Sequence, residues 1–174
     1  MRLFTPYAYL KNVYDLDFSK LKRDNINAIL CDLDNTLVGH NVKKPDQRVF
    51  DFIEKCKQEN IKLIIFSNNT TNRVALFCEE LGLKHYANAK KPLKFNYRKI
   101  IKENNLDKKR LVAIGDQLLT DVLGANLMRI KAIIVDPLQQ KDLIWTKINR
   151  SLENIVYRRL DKKNILKRGN YFHG

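Results

Sequence analysis

The stretch Asn27-Ala28-Ile29-Leu30-Cys31-Asp32-Leu33-Asp34-Asn35-Thr36 decides the fold. Its first half is an apolar run of strand length. Its second half places two acids, two residues apart, at the end of that strand. The same pattern repeats downstream. Lys62-Leu63-Ile64-Ile65-Phe66 reads as a second strand and runs into Ser67-Asn68-Asn69. Lys84 to Ala89 is a short third strand that runs into Lys90-Lys91-Pro92. Leu111-Val112-Ala113-Ile114-Gly115 is a fourth, followed by Asp116, and Ala132-Ile133-Ile134-Val135 is a fifth. Between them lie helical patterns. One opens near Pro45 with Val49, Phe50, Ile53 and Cys56 at 3–4 spacing, and one carries Val74, Phe77, Cys78 and Leu81 and closes at Gly82. A third opens at Pro92 with Phe95, Ile100 and Ile101, and a fourth runs from Leu118 to Met128. Strands alternating with helices predict parallel pairing with right-handed crossovers. Near-continuous apolar strands predict a sheet covered on both faces. The expected architecture is a doubly wound, three-layer α/β/α sandwich.

In such a sheet, ligands bind beyond the carboxyl ends of the strands. Asp32, Asp34, Asp116 and Asp121, with Thr36, Ser67, Asn68 and a lysine, should therefore converge on one edge. Each has an ordinary reading alone: a helix cap, a first-turn charge, a solvated side chain. Together they form a constellation, because paired acids at the end of an apolar strand are costly unless something compensates them. A divalent cation held by Asp32, Asp34 and Asp116 would do so, and oxygen donors with room for water suit Mg²⁺. An aspartate beside such a cation can attack phosphorus. A second carboxyl can protonate the leaving oxygen and later activate water. A hydroxyl, backbone N–H groups and Lys91 can hold the phosphoryl oxygens. No Walker loop is present, and His40, His85 and His173 are scattered.

The chain has 174 residues, with 33 Lys and Arg against 19 Asp and Glu, for a formal net charge of +14. The length fits one domain, with a basic C-terminal helix and tail expected from about residue 141. From Lys147 to Gly174 there are eight basic residues against Glu153 and Asp161. That balance favours anionic partners, whether nucleic acid, an acidic membrane surface or a phosphorylated substrate. No run of about 18 apolar residues exists to span a membrane, and the N-terminal stretch has no secretory core. Cys31, Cys56 and Cys78 form no C-x-x-C pair, so disulfides and zinc are not expected. A cytoplasmic setting follows.

Asp32-Leu33-Asp34-Asn35-Thr36, Ser67, Lys91-Pro92 and Gly115-Asp116 with Asp121 resemble, in order, the four motifs of the haloacid dehalogenase (HAD) superfamily of phosphatases. A narrower resemblance, over about Tyr14 to Leu160, is to the YqeG-like group of subfamily IIIA. It rests on Tyr14-Asp15-Leu16-Asp17, Asp34-Asn35-Thr36-Leu37-Val38, Ser67-Asn68-Asn69, Ala89-Lys90-Lys91-Pro92 and the string from Gly115 to Asn126. That group is related to phosphatidylglycerophosphate phosphatases. The resemblance implies a Rossmann-like parallel sheet of HAD type. It implies Asp32 as nucleophile and Asp34 as general acid/base, with Asp34 also giving its backbone carbonyl to Mg²⁺. It implies Ser67 and Lys91 gripping phosphate, Asp116 binding Mg²⁺ and Asp121 supporting a ligand water or Lys91. Lys90 and Lys91 are both candidates, and the Lys-Pro pairing favours Lys91.

Only one helix fits between Asp34 and Ser67, and one between Ser67 and Lys91, so no cap domain is expected and the site should be open. An open site accepts a phosphate projecting from something large. Phosphatidylglycerophosphate, or another surface-presented phosphate, is the expected substrate, with peripheral contact at an anionic inner membrane face. The elements offered for that contact are the N-terminal stretch Leu3, Phe4, Pro6, Tyr7, Tyr9, Leu10, Val13 and Tyr14, and a helix carrying Ile144, Ile148, Leu152, Ile155 and Val156 with Trp145. Packing on the sheet is the competing use of both, and a solvated tail is that of the basic residues from Arg158. Two other functions fit the charge. One is a nucleic-acid-end phosphatase using Arg73, Tyr97 and Arg98. The other is an RNA- or ribosome-associated binding protein on the same fold.

Overall fold

The computed structural model describes residues 2–139 and 144–174, with the backbone alone for 144–150. Six strands form one parallel sheet: β1 (Ala8–Leu10), β2 (Ala28–Cys31), β3 (Lys62–Phe66), β4 (Lys84–Tyr86), β5 (Leu111–Gly115) and β6 (Lys131–Val135), in the order β1-β6-β5-β2-β3-β4. The helices are α1 (Phe18–Arg23), α2 (Gln47–Gln58), α3 (Thr71–Leu81), α4 (Lys94–Glu103), α5 (Leu123–Met128) and α6 (Ile144–Asp161).

The strands are apolar throughout because both faces are covered. Successive residues of β2 alternate between two cores: Ile29 and Cys31 face one, Ala28 and Leu30 the other. The first core takes Val49, Phe52, Ile53 and Cys56 of α2 and Val74, Phe77 and Cys78 of α3. The second takes Tyr97 and Ile100 of α4, Ala125 and Met128 of α5, and Leu160 of α6. This is the expected three-layer sandwich. All three cysteines are free and buried.

The expected sheet lacked its sixth strand. Part of the aromatic N-terminal stretch is sheet core: β1 pairs with β6, and Tyr9, Leu10 and Val13 are buried, whereas Leu3 is exposed. The buried residues are therefore not available to lipid. Ala8-Tyr9-Leu10, closed by Lys11, is too short to carry a periodic signature. Its outer edge is covered by the chain's end. Tyr9 and Phe172 exchange backbone hydrogen bonds of 2.9 Å in each direction. Tyr9 Oη and Tyr171 Oη donate to the two carboxylate oxygens of Asp136, at 2.5 and 2.6 Å. The basic tail is thus anchored, with Leu160 and Leu166 buried, rather than a solvated extension. Covering the edge blocks edge-to-edge pairing with other chains. On α6, Leu152 and Ile155 are exposed. Residue 141 and the side chains of Ile144, Trp145 and Ile148 lie outside the described residues.

Strand order reverses between β2 and β5. The chain proceeds outward from β2 to β3 and β4, then returns to the other side of β2. A crevice opens at that switch point beyond the carboxyl ends. Asp32 follows β2 and Asp116 follows β5, so the two acids stand side by side. Among the described residues, no cap domain covers the edge.

Candidate active site

Asp32, Asp116 and Asp121 are all buried, and each offers a carboxylate oxygen within 4.8 Å of the others. Asp32 continues β2 by donating its N–H to Ile114 O at 2.9 Å. Lys91 stands between two of the acids: its Nζ lies 2.8 Å from Asp32 Oδ1 and 2.6 Å from Asp121 Oδ1. Burial works against the ammonium, but Asp121 and Asp32 outweigh it and raise the Lys91 pKa. Burial is also the largest influence on Asp32. With help from Asp121, and against the pull of Lys91, it pushes that carboxyl up to about 6. A single lysine thus serves two acids, with a third beside them. Three clustered, buried carboxylates fit a hard divalent cation.

The segment after β5 is built around Asp121. Its Oδ2 accepts from Gln117 N at 3.1 Å and from Thr120 Oγ1 at 3.2 Å. Gly115 makes room for this: a Cβ there would lie 2.6 Å from Asp121 Cβ. The helix expected over 118–128 accordingly begins as a π turn (Leu118–Val122), in which Val122 N bonds Gln117 O at 3.3 Å. Such turns are frequent at functional sites. The expected helix is correct only from Leu123. A buried residue of α6, Glu153, accepts from Leu119 N at 3.0 Å through Oε1. The long-range partner makes Glu153 illegible in sequence, where it reads as one acid in a basic helix.

The other expected residues divide. Ser67 is buried at the end of β3, and its Oγ accepts from Asn69 N at 3.3 Å. Asn68 brackets the backbone of Lys91, accepting from its N–H at 2.7 Å and donating to its carbonyl at 3.2 Å. Its side chain therefore positions the lysine. Lys91 is buried at the acids, whereas Lys90 is exposed, which resolves that choice in favour of Lys91. Asp34 is close in sequence, yet its carboxylate does not join the three acids. Asn69 Nδ2 donates to its Oδ2 at 2.8 Å, and Arg73 binds its Oδ1 at 3.0 Å. The Asp34 side chain thus lies outside the carboxylate cluster, which Asp121 joins; the metal role expected of its backbone carbonyl is a separate matter. Asn35 adopts φ 63° and donates its N–H to Val38 O at 2.6 Å. This tight turn reverses the chain after Asp34. Thr36 is fully buried in it, and its Oγ1 has no hydrogen-bond partner among the described residues.

Tyr97, considered for base stacking, is fully buried, in edge contact with Phe66 at 4.6 Å, so it has no face for a base. Phe95 of the same helix is 74% exposed. Arg73, considered for nucleic acid, is committed to Asp34.

Residues 42–128 match the family model described as haloacid dehalogenase-like hydrolase. Over 162 residues the chain is 37% identical to "Probable phosphatase YqeG" of Bacillus subtilis, covering 93% of this chain and 94% of that one. The chain belongs to the haloacid dehalogenase-like hydrolases. Among solved structures, an uncharacterized protein of Listeria monocytogenes superimposes with a TM-score of 0.54 at 20% identity, covering 75% of this chain and 99% of that one. A hypothetical protein of Xanthomonas campestris does so with 0.51 at 16% identity, covering 71% of each. These show the shared fold. Within the haloacid dehalogenase-like frame, the acids, Ser67 and Lys91 stand on separate strand ends that the parallel sheet brings to one edge.

Proposed function

We propose that this hydrolase is a Mg²⁺-dependent phosphomonoesterase that works through an aspartyl-phosphate on Asp32 and acts on a phosphate presented at a surface, with phosphatidylglycerophosphate as the substrate class. The observation that carries the reading is the placement of Asp32. It is a buried carboxylate at a strand end, paired to Lys91 at 2.8 Å and clustered with two further acids. Asp32 and Asp116, with the backbone carbonyl of Asp34, would hold the cation. Bound there, Mg²⁺ supplies charge compensation for phosphoryl oxygens beside a carboxylate nucleophile.

Asp32 attacks phosphorus, and the bond from phosphorus to the ester oxygen breaks. The leaving oxygen takes a proton from the Asp34 carboxyl, which must leave Arg73 and Asn69 to deliver it. A water then loses a proton to Asp34 and attacks the aspartyl-phosphate at phosphorus. Phosphate departs and the Asp32 carboxylate is restored. Lys91, Ser67 and the N–H groups after β3 neutralise and orient the phosphoryl oxygens. The uncapped edge admits a phosphate borne on a large body. Among the described residues, no helix is long and apolar enough to cross a membrane, so contact with lipid would be peripheral, from the cytoplasmic side.

The test is Mg²⁺-dependent phosphate release from phosphatidylglycerophosphate in mixed micelles, alongside p-nitrophenyl phosphate and a 3′-phosphorylated oligonucleotide, with Asp32→Asn as control. Turnover of the lipid above the others, lost in the variant, is expected. Preference for the oligonucleotide would overturn the substrate class, and turnover by Asp32→Asn would overturn the nucleophile.

A further inference from the structure

The residues that follow Lys91 form an unusual surface. Leu93 is 60% exposed and Phe95 is 74% exposed. Isolated exposed apolar residues are ordinary, and Leu76 on α3 is one. Leu93 and Phe95 differ in their setting. They lie two and four residues beyond the lysine that holds Asp32. The helical rotation of 100° per residue puts Lys94, Arg98, Phe95 and Lys99 on one arc of about 140°. The buried Tyr97 and Ile100 occupy the opposite side. The exposed arc carries no acid. Lys94 and Arg98 make no ion pair among the described residues, as does the exposed Lys90 just before the site. Lys99 reaches only Glu103, at 3.9 Å.

We propose that the N-terminal end of α4, with the exposed Leu93 at its cap, Phe95 on its exposed arc and the cations Lys90, Lys94 and Arg98, is a docking surface for an anionic lipid membrane beside Lys91. The choice of a phosphate-bearing lipid surface rests on the phosphatase reading above. The chemistry of the patch fits that occupant. Two large apolar side chains enter the boundary between headgroups and acyl chains, while flanking cations meet anionic headgroups. Nucleic acid would use the cations and the exposed Phe95 ring but leaves Leu93 without a role. Docking through α4 brings a headgroup phosphate to Lys91 without any cap to close over it.

The test is flotation of the full chain with vesicles of phosphatidylcholine containing 30 mol% phosphatidylglycerol, and with vesicles of phosphatidylcholine alone. The wild type is expected to bind the anionic vesicles preferentially. Leu93→Ser/Phe95→Ser and Lys94→Glu/Arg98→Glu should each weaken that binding at least tenfold, while hydrolysis of p-nitrophenyl phosphate stays within twofold. All four positions are exposed, so folding, checked by circular dichroism, is retained. Absence of preferential binding by the wild type, or serine variants that bind as the wild type does, would overturn the proposal. So would binding of a single-stranded RNA that falls in the glutamate variant alone while vesicles are ignored. Vesicle binding lost as expected in a chain that hydrolyses no phosphate ester would refute the phosphatase reading and uphold the docking surface.

Discussion

Replacing Lys91 with methionine isolates the electrostatics of the site. The methionine keeps most of the stem, which packs with its head 5.6 Å from the centre of the Phe66 ring, and removes only the charge. Lys91 Nζ lies 2.8 Å from Asp32 Oδ1 and 2.6 Å from Asp121 Oδ1. Two such pairs, with charge centres about 4 Å apart at an effective dielectric of about 20, attract by about 8 kcal/mol in sum. Burying the ammonium costs several kcal/mol of that. Removing one partner of a buried pair also leaves the other charges uncompensated, and costs about 3–5 kcal/mol. At about 2–4 °C per kcal/mol for a domain of this size, the metal-free variant should melt roughly 6–20 °C below the wild type at pH 8. Thermal unfolding followed by circular dichroism reads this directly. Two further features separate charge from packing. The deficit should shrink at pH 5, because the orphaned carboxylates can take up protons. Saturating MgCl₂ should raise the melting temperature of the variant more than that of the wild type, because the cation replaces missing positive charge among the same acids. A variant that melts within 3 °C of the wild type without metal, with the same Mg²⁺ response, would refute the claim that Lys91 compensates these acids.

Other outcomes follow from single residues. Gly115→Ala places a Cβ 2.6 Å from Asp121 Cβ. It should displace that side chain and lower kcat about a hundredfold, since displacements near 1 Å at a site cost that much; steady-state kinetics with p-nitrophenyl phosphate checks it. Glu153→Ala removes the acceptor for Leu119 N. It should cost about 1 kcal/mol, as helix caps do, and weaken Mg²⁺ binding about tenfold by calorimetry, as lost supporting contacts do; Glu153→Gln, which keeps an acceptor, should restore most of both. The Asp32 carboxyl, raised to about 6 chiefly by burial, contributes stability that is full below about pH 4 and is lost as the pH rises through about 6. Denaturant titrations without metal should show that decline, and Asp32→Asn should flatten it.

The sheet and the site were legible to different depths in the sequence, for physical reasons. Strands β2, β3, β5 and β6 are apolar on both faces, so they stand out as runs, and the residues after them fall on one edge by topology alone. Lys91, Ser67, Asp116 and Asp121 could be placed on that edge without coordinates. β1 could not: it is short, and it becomes a strand only because β6 offers an edge and Phe172 covers the other side. The face of α4 was not legible, because Phe95, Ile100 and Ile101 stand at no helical spacing, and burial selects Tyr97 and Ile100. Asp34 shows the limit of motif spacing. Two residues from Asp32 along the chain, its carboxylate is bound by Asn69 and by Arg73, which lies 39 positions on, and spacing does not foretell either partner. Glu153 acts through the backbone N–H of Leu119, and spacing carries no trace of it.

Phosphorylation of Asp32 during turnover is the step on which the proposed chemistry turns. It is tested most directly by quenching the enzyme during Mg²⁺-dependent turnover, reducing with borohydride and sequencing the peptide that contains residue 32 by mass spectrometry. An acyl phosphate is reduced to an alcohol, so homoserine at position 32, present only with substrate and metal, is the predicted result. An unmodified Asp32 with homoserine at Asp34, Asp116 or Asp121 would contradict the account.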